Sequence, residues 1–251
     1  MNHRGFFCVL FFLGLLSSLW GQNSRLNKQF KQFDFSAVIL PDSLQPDLNS
    51  TQKIARPKIL AFVGNNYMRF EIRIAEAFKD SANPTRYRMW GRTRHMGWAR
   101  TFIGDLYVLD VNLEKKAQKG LRKGWIKFKV LMREDSLSQG AAHYEGTLTC
   151  NFILTQNNQI LYDATLLGKP EFKNNQFVGK RIPFDNRKAA EVCNWGDFRI
   201  PDCGDLDVGK DQFRPNEKYL NQNWRMYQLI LTGNPSWEAT KQAILEENSL
   251  F

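Results

Sequence analysis

The densest set of metal-capable side chains in this sequence lies in Cys193-Asn-Trp-Gly-Asp-Phe-Arg-Ile-Pro-Asp-Cys203-Gly-Asp-Leu-Asp-Val-Gly209. Asp202, Asp205, Asp207 and, just beyond, Asp211 could converge their oxygens on a hard cation such as calcium. The EF-hand spacing fails, however. Counted from Asp205, Asp207 takes the third place, but Gly209 and Lys210 take the fifth and sixth, and Asn216 stands where a bidentate Glu is needed. The two cysteines offer another reading. In an oxidising compartment Cys193 and Cys203 are a natural pair, and closing so short a loop stabilises a fold by about 2–3 kcal/mol on the chain-entropy account. Asp and Gly are also common turn residues. The expectation is a disulfide-stapled structural loop, with a calcium site ranked behind it.

The second constellation is Arg86-Tyr-Arg-Met-Trp-Gly-Arg-Thr-Arg94, where period two puts Arg86, Arg88, Trp90, Arg92 and Arg94 on one face. Guanidinium groups around an aromatic ring can hold phosphates or sulfates, and the ring can stack on a base or a sugar. Arg88, Arg92 and Arg94 are the expected polar contacts and Trp90 the stacking surface. The competing reading is a solvated face whose arginines are offset by cross-strand carboxylates. The preceding strand supplies only Glu71 for this, between Arg69 and Arg73. The rest of the chain is basic too, with a formal net charge of +10.

A third group, Glu134, Asp135, His143 and Glu145, has zinc-capable side chains. Alternation turns His143 and Glu145 towards water, which weakens that reading. Catalytic motifs are absent: there is no Gly-x-Ser-x-Gly elbow, no His-Glu-x-x-His and no glycine-rich phosphate loop. A pair of glycosidase carboxylates leaves no local signature, so a hydrolase acting on envelope glycans stands as the enzymatic alternative.

The elements that must position these groups are strands. Met68, Phe70, Ile72 and Ile74 alternate with Tyr67, Arg69, Glu71 and Arg73, and further strands are expected at about 86–94, 101–112, 124–134, 143–155 and 159–166. Leu148, Cys150, Phe152 and Leu154 share a face, which makes Cys150 a core residue rather than a nucleophile. The pattern predicts a mainly β fold: an antiparallel barrel or sandwich over 57–251, with a loop-rich insertion at about 185–222. A late strand is expected at Trp224–Leu231, and a short C-terminal helix opened by Asn234-Pro235. Residues 22–56 read as an extended arm contributing one strand, Phe35–Leu40.

The chain begins with Arg4, an apolar run from Phe6 to Leu16, and then Ser, Ser and Gly, the layout of a secretory signal peptide over 1–21. The run is too short to span a bilayer, which takes about 20 residues. No later stretch is apolar enough to do so. Cys8 lies inside the run, so no lipid anchor is expected. Cleavage would leave Cys150, Cys193 and Cys203, an odd number, consistent with one buried thiol and one bridge.

Residues 87–181 carry phrases that resemble uncharacterised exported β-proteins of Gram-negative bacteria. These are Tyr87-Arg-Met-Trp-Gly-Arg-Thr-Arg94, Phe102-Ile-Gly-Asp-Leu106, Arg133-Glu-Asp135 and Phe172-Lys-Asn-Asn-Gln-Phe-Val-Gly179, with Cys193–Pro201 similar to later parts of those sequences. The resemblance implies a β fold and no assigned activity. The outline is also lipocalin-like, but the Gly-x-Trp signature of a first lipocalin strand is missing. The functional expectation is therefore an exported periplasmic or extracellular protein of the cell envelope, binding or structural in role. Its ligand would be an anionic or apolar small molecule, or a glycan, held in a barrel. Export argues against nucleic acid as a partner. A partner-binding subunit is the remaining alternative, and it would expose an apolar patch.

Overall fold

A computed structural model describes residues 30–233 apart from 116, 118, 119 and 186, and beyond them Glu238, Lys241, Ile244 and Leu245. The expected signal peptide lies outside the described residues. So does most of the helix expected from Asn234, although its four described residues are helical.

The main sheet contains β3 (Leu60–Val63), β4 (Met68–Lys79), β5 (Arg86–His95), β6 (Trp98–Leu113), β7 (Arg122–Glu134), β8 (Ala142–Leu154), β9 (Ile160–Tyr162), β10 (Asn174–Pro183) and β11 (Glu191–Asp197). Every pairing is antiparallel. β8 pairs with β10 as well as with β7, and β11 returns to β3, so the sheet closes into an eight-stranded barrel with β9 as an extra strand. Closure removes the open edges that a sheet would otherwise present. No helix among the described residues is long and apolar enough to cross a membrane. Most outward positions of β5, β7 and β8 carry Arg, Lys, Glu, Thr or Asn, with Trp90, Trp125 and Leu131 among them.

The interior follows from the alternation. Phe70 and Ile72, Tyr87 and Met89, Phe102 and Leu106, Phe128 and Val130, and Leu148, Cys150 and Phe152 are all buried and form one cluster. The lumen is thus a packed core. Gly146 and Gly179 face each other across β8 and β10, and the ring of Phe177 lies over both. A Cβ at either position would come within 2.3 Å of a neighbouring carbonyl oxygen. These glycines let Phe177 stack on Trp195, with ring centroids 3.5 Å apart.

The arm does not add a strand at Phe35–Leu40. Ser36–Ile39 is a short helix, α1. Phe35, Val38 and Ile39 have helical spacing and enter the barrel cluster, capping the lumen at one end. Phe35 meets Phe152 edge-on at 5.1 Å, and its N–H donates to the Tyr87 hydroxyl at 3.1 Å. Downstream, β1 (Ser43–Leu44) pairs with β2 (Ile54–Ala55). Arg56 then reaches the buried Asp197 at 3.0 Å, and Asn175 donates to the Val38 and Ile39 carbonyls, which anchors the arm to the barrel. Burial raises the Asp197 pKa, opposed by the Arg56 guanidinium.

The expected insertion at 185–222 contains β11, a barrel strand that alternation could not show. Cys193, Asn194, Trp195, Gly196 and Asp197 are all buried because both faces of β11 are covered. Outside the wall, Ile200, Leu206, Phe213 and Trp224 pack on Leu60 and Phe62. The late strand expected at Trp224–Leu231 is also corrected, because Arg225–Thr232 is a helix, α2, ending at Gly233 with φ 58°. An apolar run of that length suits strand or helix equally, and the closed barrel offers it no edge to join.

Candidate anion-binding groove

The face predicted on β5 exists. Arg88, Trp90 and Arg92 point outwards and are exposed, with Arg86 and Arg94 half-buried beside them. Its charge is offset more fully than the sequence suggested. A bulge between Ile74 and Glu76 shifts the phase of β4 and sets Glu76 opposite Trp90, whose indole N–H donates to it at 2.6 Å. Asp80 lies 3.3 Å from Arg88, Asp105 lies 2.7 Å from Arg86, and Glu71 pairs with Arg94. Arg92 stands opposite Arg73 on β4 and Thr101 on β6. The four residues expected to act together are divided. Arg88 and Trp90 line a hollow with Phe78, Ile103 and Leu131, whereas Arg94 lines a different groove.

That groove is built by β4, the arm and the chain around α2. One cavity of about 730 Å³ lies between Met68, Arg69 and Glu71, the β5–β6 turn, and Leu220–Met226. A second, of about 430 Å³, lies between Leu40, Pro41 and Arg56–Ile59 on one side and Arg69–Ile74 on the other. Both are bordered by Arg69 and Glu71, so they adjoin along the outer side of β4. The far wall is fixed by Trp224, fully buried, whose indole donates to the Tyr67 carbonyl at 2.8 Å.

Arg69 lies with its guanidinium 5.5 Å from the Trp224 ring and 5.3 Å from the Tyr227 ring. It is also 3.7 Å from Glu71, which pairs with Arg94 on its other side. One carboxylate therefore holds two guanidinium groups in place. Lys58, Arg73 and Arg225 also line the two cavities, and the charge of Arg56 is met by Asp197. Planar guanidinium groups lining a cavity suit carboxylate, sulfate and phosphate oxygens. Arg94 was identifiable from β5 alone. Arg69 gains its role from Trp224 and Tyr227, partners that no local pattern joins to it.

The mouth of the barrel holds a separate polar cluster. Glu134, inward on β7 and 1% exposed, accepts hydrogen bonds from the Thr93 and Tyr144 hydroxyls and from the Ala142 N–H, and lies 3.9 Å from Arg100. His143 and Glu145 are on the outer side of β8, so the zinc-capable group is split by the wall. Burial, with Arg181 and Arg100 nearby, pushes the His95 pKa down to about 4. Burial raises the Tyr144 hydroxyl and the Cys193 thiol well above their ordinary ranges. Neither an imidazole held neutral nor a thiol held protonated is primed for nucleophilic catalysis.

The aspartate loop is corrected. Asp205 is bound by Lys218 and Tyr219, while Asp207 accepts from Arg199 at 2.6 Å and from the Gly209 and Arg214 N–H groups. Asp202 and Asp211 join neither set. Among the described residues no three acidic, His or Cys side chains are grouped to hold a metal ion. Asp205 and Asp207 are taken up by cations of the chain itself. Cys193 and Cys203 are both free. Cys193 faces the lumen with Val63 and Trp195, whereas Cys203 packs in the outer cluster with Leu60 and Phe62, so the wall separates the thiols. Cys150 is buried in the core, as alternation predicts.

Comparison with known proteins found no matching family, no similar curated protein and no similar solved structure.

Proposed function

We propose that this protein is an exported, non-enzymatic binding protein of the cell envelope, and that it holds an anionic ligand on the outside of its barrel. The observation that carries this reading is the groove along β4, where the guanidinium groups of Arg69, Arg94 and exposed Arg225 line one cavity that adjoins a second. An interior ligand has less support, because inward side chains fill the lumen and α1 caps it. Export rests on the Arg4 and Phe6–Leu16 pattern. An acidic envelope glycan or lipopolysaccharide offers the matching chemistry.

Retention on immobilised heparin, used as a sulfated glycan probe, tests the reading. The Arg94→Gln/Arg225→Gln variant is expected to elute at clearly lower salt than the charge-matched Lys127→Gln/Lys129→Gln variant, whose lysines lie on β7 away from the groove. Equal shifts for the two variants would mean that only net charge matters, and the groove reading would fall.

A second reading, a partner-binding subunit, draws support from the other hollow. Phe78, Trp90, Ile103 and Leu131 are 42%, 47%, 69% and 39% exposed on adjoining strands. Apolar surface grouped in this way is a common mark of protein contact.

A further inference from the structure

Four connections lie at the barrel end opposite α1: residues 64–67, 96–97, 135–141 and 184–190. Two of them project large apolar side chains into solvent. Met96 is 64% exposed and Trp98 56% exposed at the β5–β6 turn, and Leu137 is 94% exposed in the β7–β8 connection. The turn is costly for its sequence. Met96 and Gly97 both have left-handed backbones, φ 52° and 82°, in a two-residue hairpin connection where Asn-Gly or Gly-Gly is favoured. A flexible apolar side chain thus occupies the tip against local preference.

The two projections are tied together. The Arg100 guanidinium, its side chain 3% exposed, donates to the Trp98 carbonyl at 3.2 Å and to the Gln139 carbonyl at 3.0 and 2.6 Å. Basic side chains stand beside them, interspersed with carboxylates. Arg94, paired with Glu71, and exposed Arg225 line the same cavity as Met96 and Gly97. Exposed Lys188 lies on the neighbouring connection, which also holds the Arg187–Asp185 pair, while Asp135 stands two residues before Leu137.

We infer that this end of the barrel docks on the surface of an anionic lipid bilayer, with Met96, Trp98 and Leu137 entering the interfacial layer and Arg94 and Arg225 meeting head-group phosphates. The role of the two arginines rests on the groove reading above; insertion of the tips does not. Apolar tips beside the basic side chains Arg94, Arg225 and Lys188 select this occupant, since together they provide the two signals that stable peripheral binding needs. Trp is also favoured at the interface between head groups and acyl chains. A protein partner is less suited, because three separated side chains offer a few hundred Å², below the roughly 1,000 Å² of a specific protein interface.

The test is binding of the full chain to vesicles of phosphatidylglycerol and phosphatidylcholine, with brominated acyl chains as quenchers. Every chain compared, the wild-type reference included, carries Trp20→Phe, so that the apolar run Phe6–Leu16 contributes no tryptophan fluorescence, and the variants are read as differences between chains with the same N-terminus. Wild type is expected to show quenching that Trp98→Phe largely abolishes. The Met96→Ser/Leu137→Ser variant should bind about tenfold or more weakly while keeping its heparin retention and circular dichroism. Equal quenching in wild type and Trp98→Phe, or unchanged affinity for the serine variant, would overturn the inference and leave the groove reading standing. If Arg94→Gln/Arg225→Gln keeps both heparin retention and vesicle affinity, the groove reading fails and the head-group contacts fail with it.

Discussion

At the residue scale, the chemistry of this protein is set mainly by which side of the barrel wall a side chain faces. Glu134 and His143 are close on neighbouring strands, yet one is sealed inside and the other stands outside. His95 is on the inside, and its consequence is a dependence of stability on pH. Its native pKa of about 4 lies below the ordinary 6.5, so the unfolded chain binds a proton that the native state refuses. The penalty is absent above about pH 6.5, accumulates as pH falls and levels off near pH 4. At pH 4.5 it should reach about 2–3 kcal/mol. Urea unfolding at pH 7 and pH 4.5 should therefore show a larger loss for wild type than for His95→Gln, and equal losses would contradict the assignment. Face assignments were legible from alternation: Cys150 inside, and Arg88, Trp90 and Arg92 outside. The cysteine pair was not, because spacing along the chain does not reveal a wall between Cys193 and Cys203. The offsetting carboxylates Glu76, Asp80 and Asp105 were hidden in the same way, by a bulge, a turn and a strand one step further on.

At the element scale, strands β4 to β8 could be read closely because one face is apolar and the other polar along most of their length. That signal fails where a second layer covers the outside. β11 is buried on both faces and looks like loop sequence, and α2 is an apolar run with no strand to pair. The arm was misjudged for a related reason, since Phe35, Val38 and Ile39 are too few to show a period without the barrel they cap. Their burial makes α1 part of the core. Phe35→Ala should cost about 3–5 kcal/mol in denaturant unfolding, because the ring is 1% exposed and packed against Phe152. A loss below about 1 kcal/mol would mean that the arm is only draped on the barrel.

For the whole molecule, closure of the sheet and capping by α1 leave the lumen to the core and move the candidate ligand surface outside, where the arm and the segment around α2 flank β4. The fold class was legible in the sequence and the groove was not. Its walls come from residues 40–59 and 220–226, which sequence patterns divided among an arm ending at 56, the start of the β domain, a loop-rich insertion ending at about 222 and a strand from Trp224, and only the β4 and β5 arginines were visible in advance. The central claim is that anions bind there. Amide hydrogen exchange with and without a heparin oligosaccharide tests it most directly, since it locates the contact as well as detecting it. Added protection at 96–97 and 220–226, with smaller effects at 68–73, is the predicted result. Protection confined to β7 around 127–133, or no change anywhere, would contradict the account.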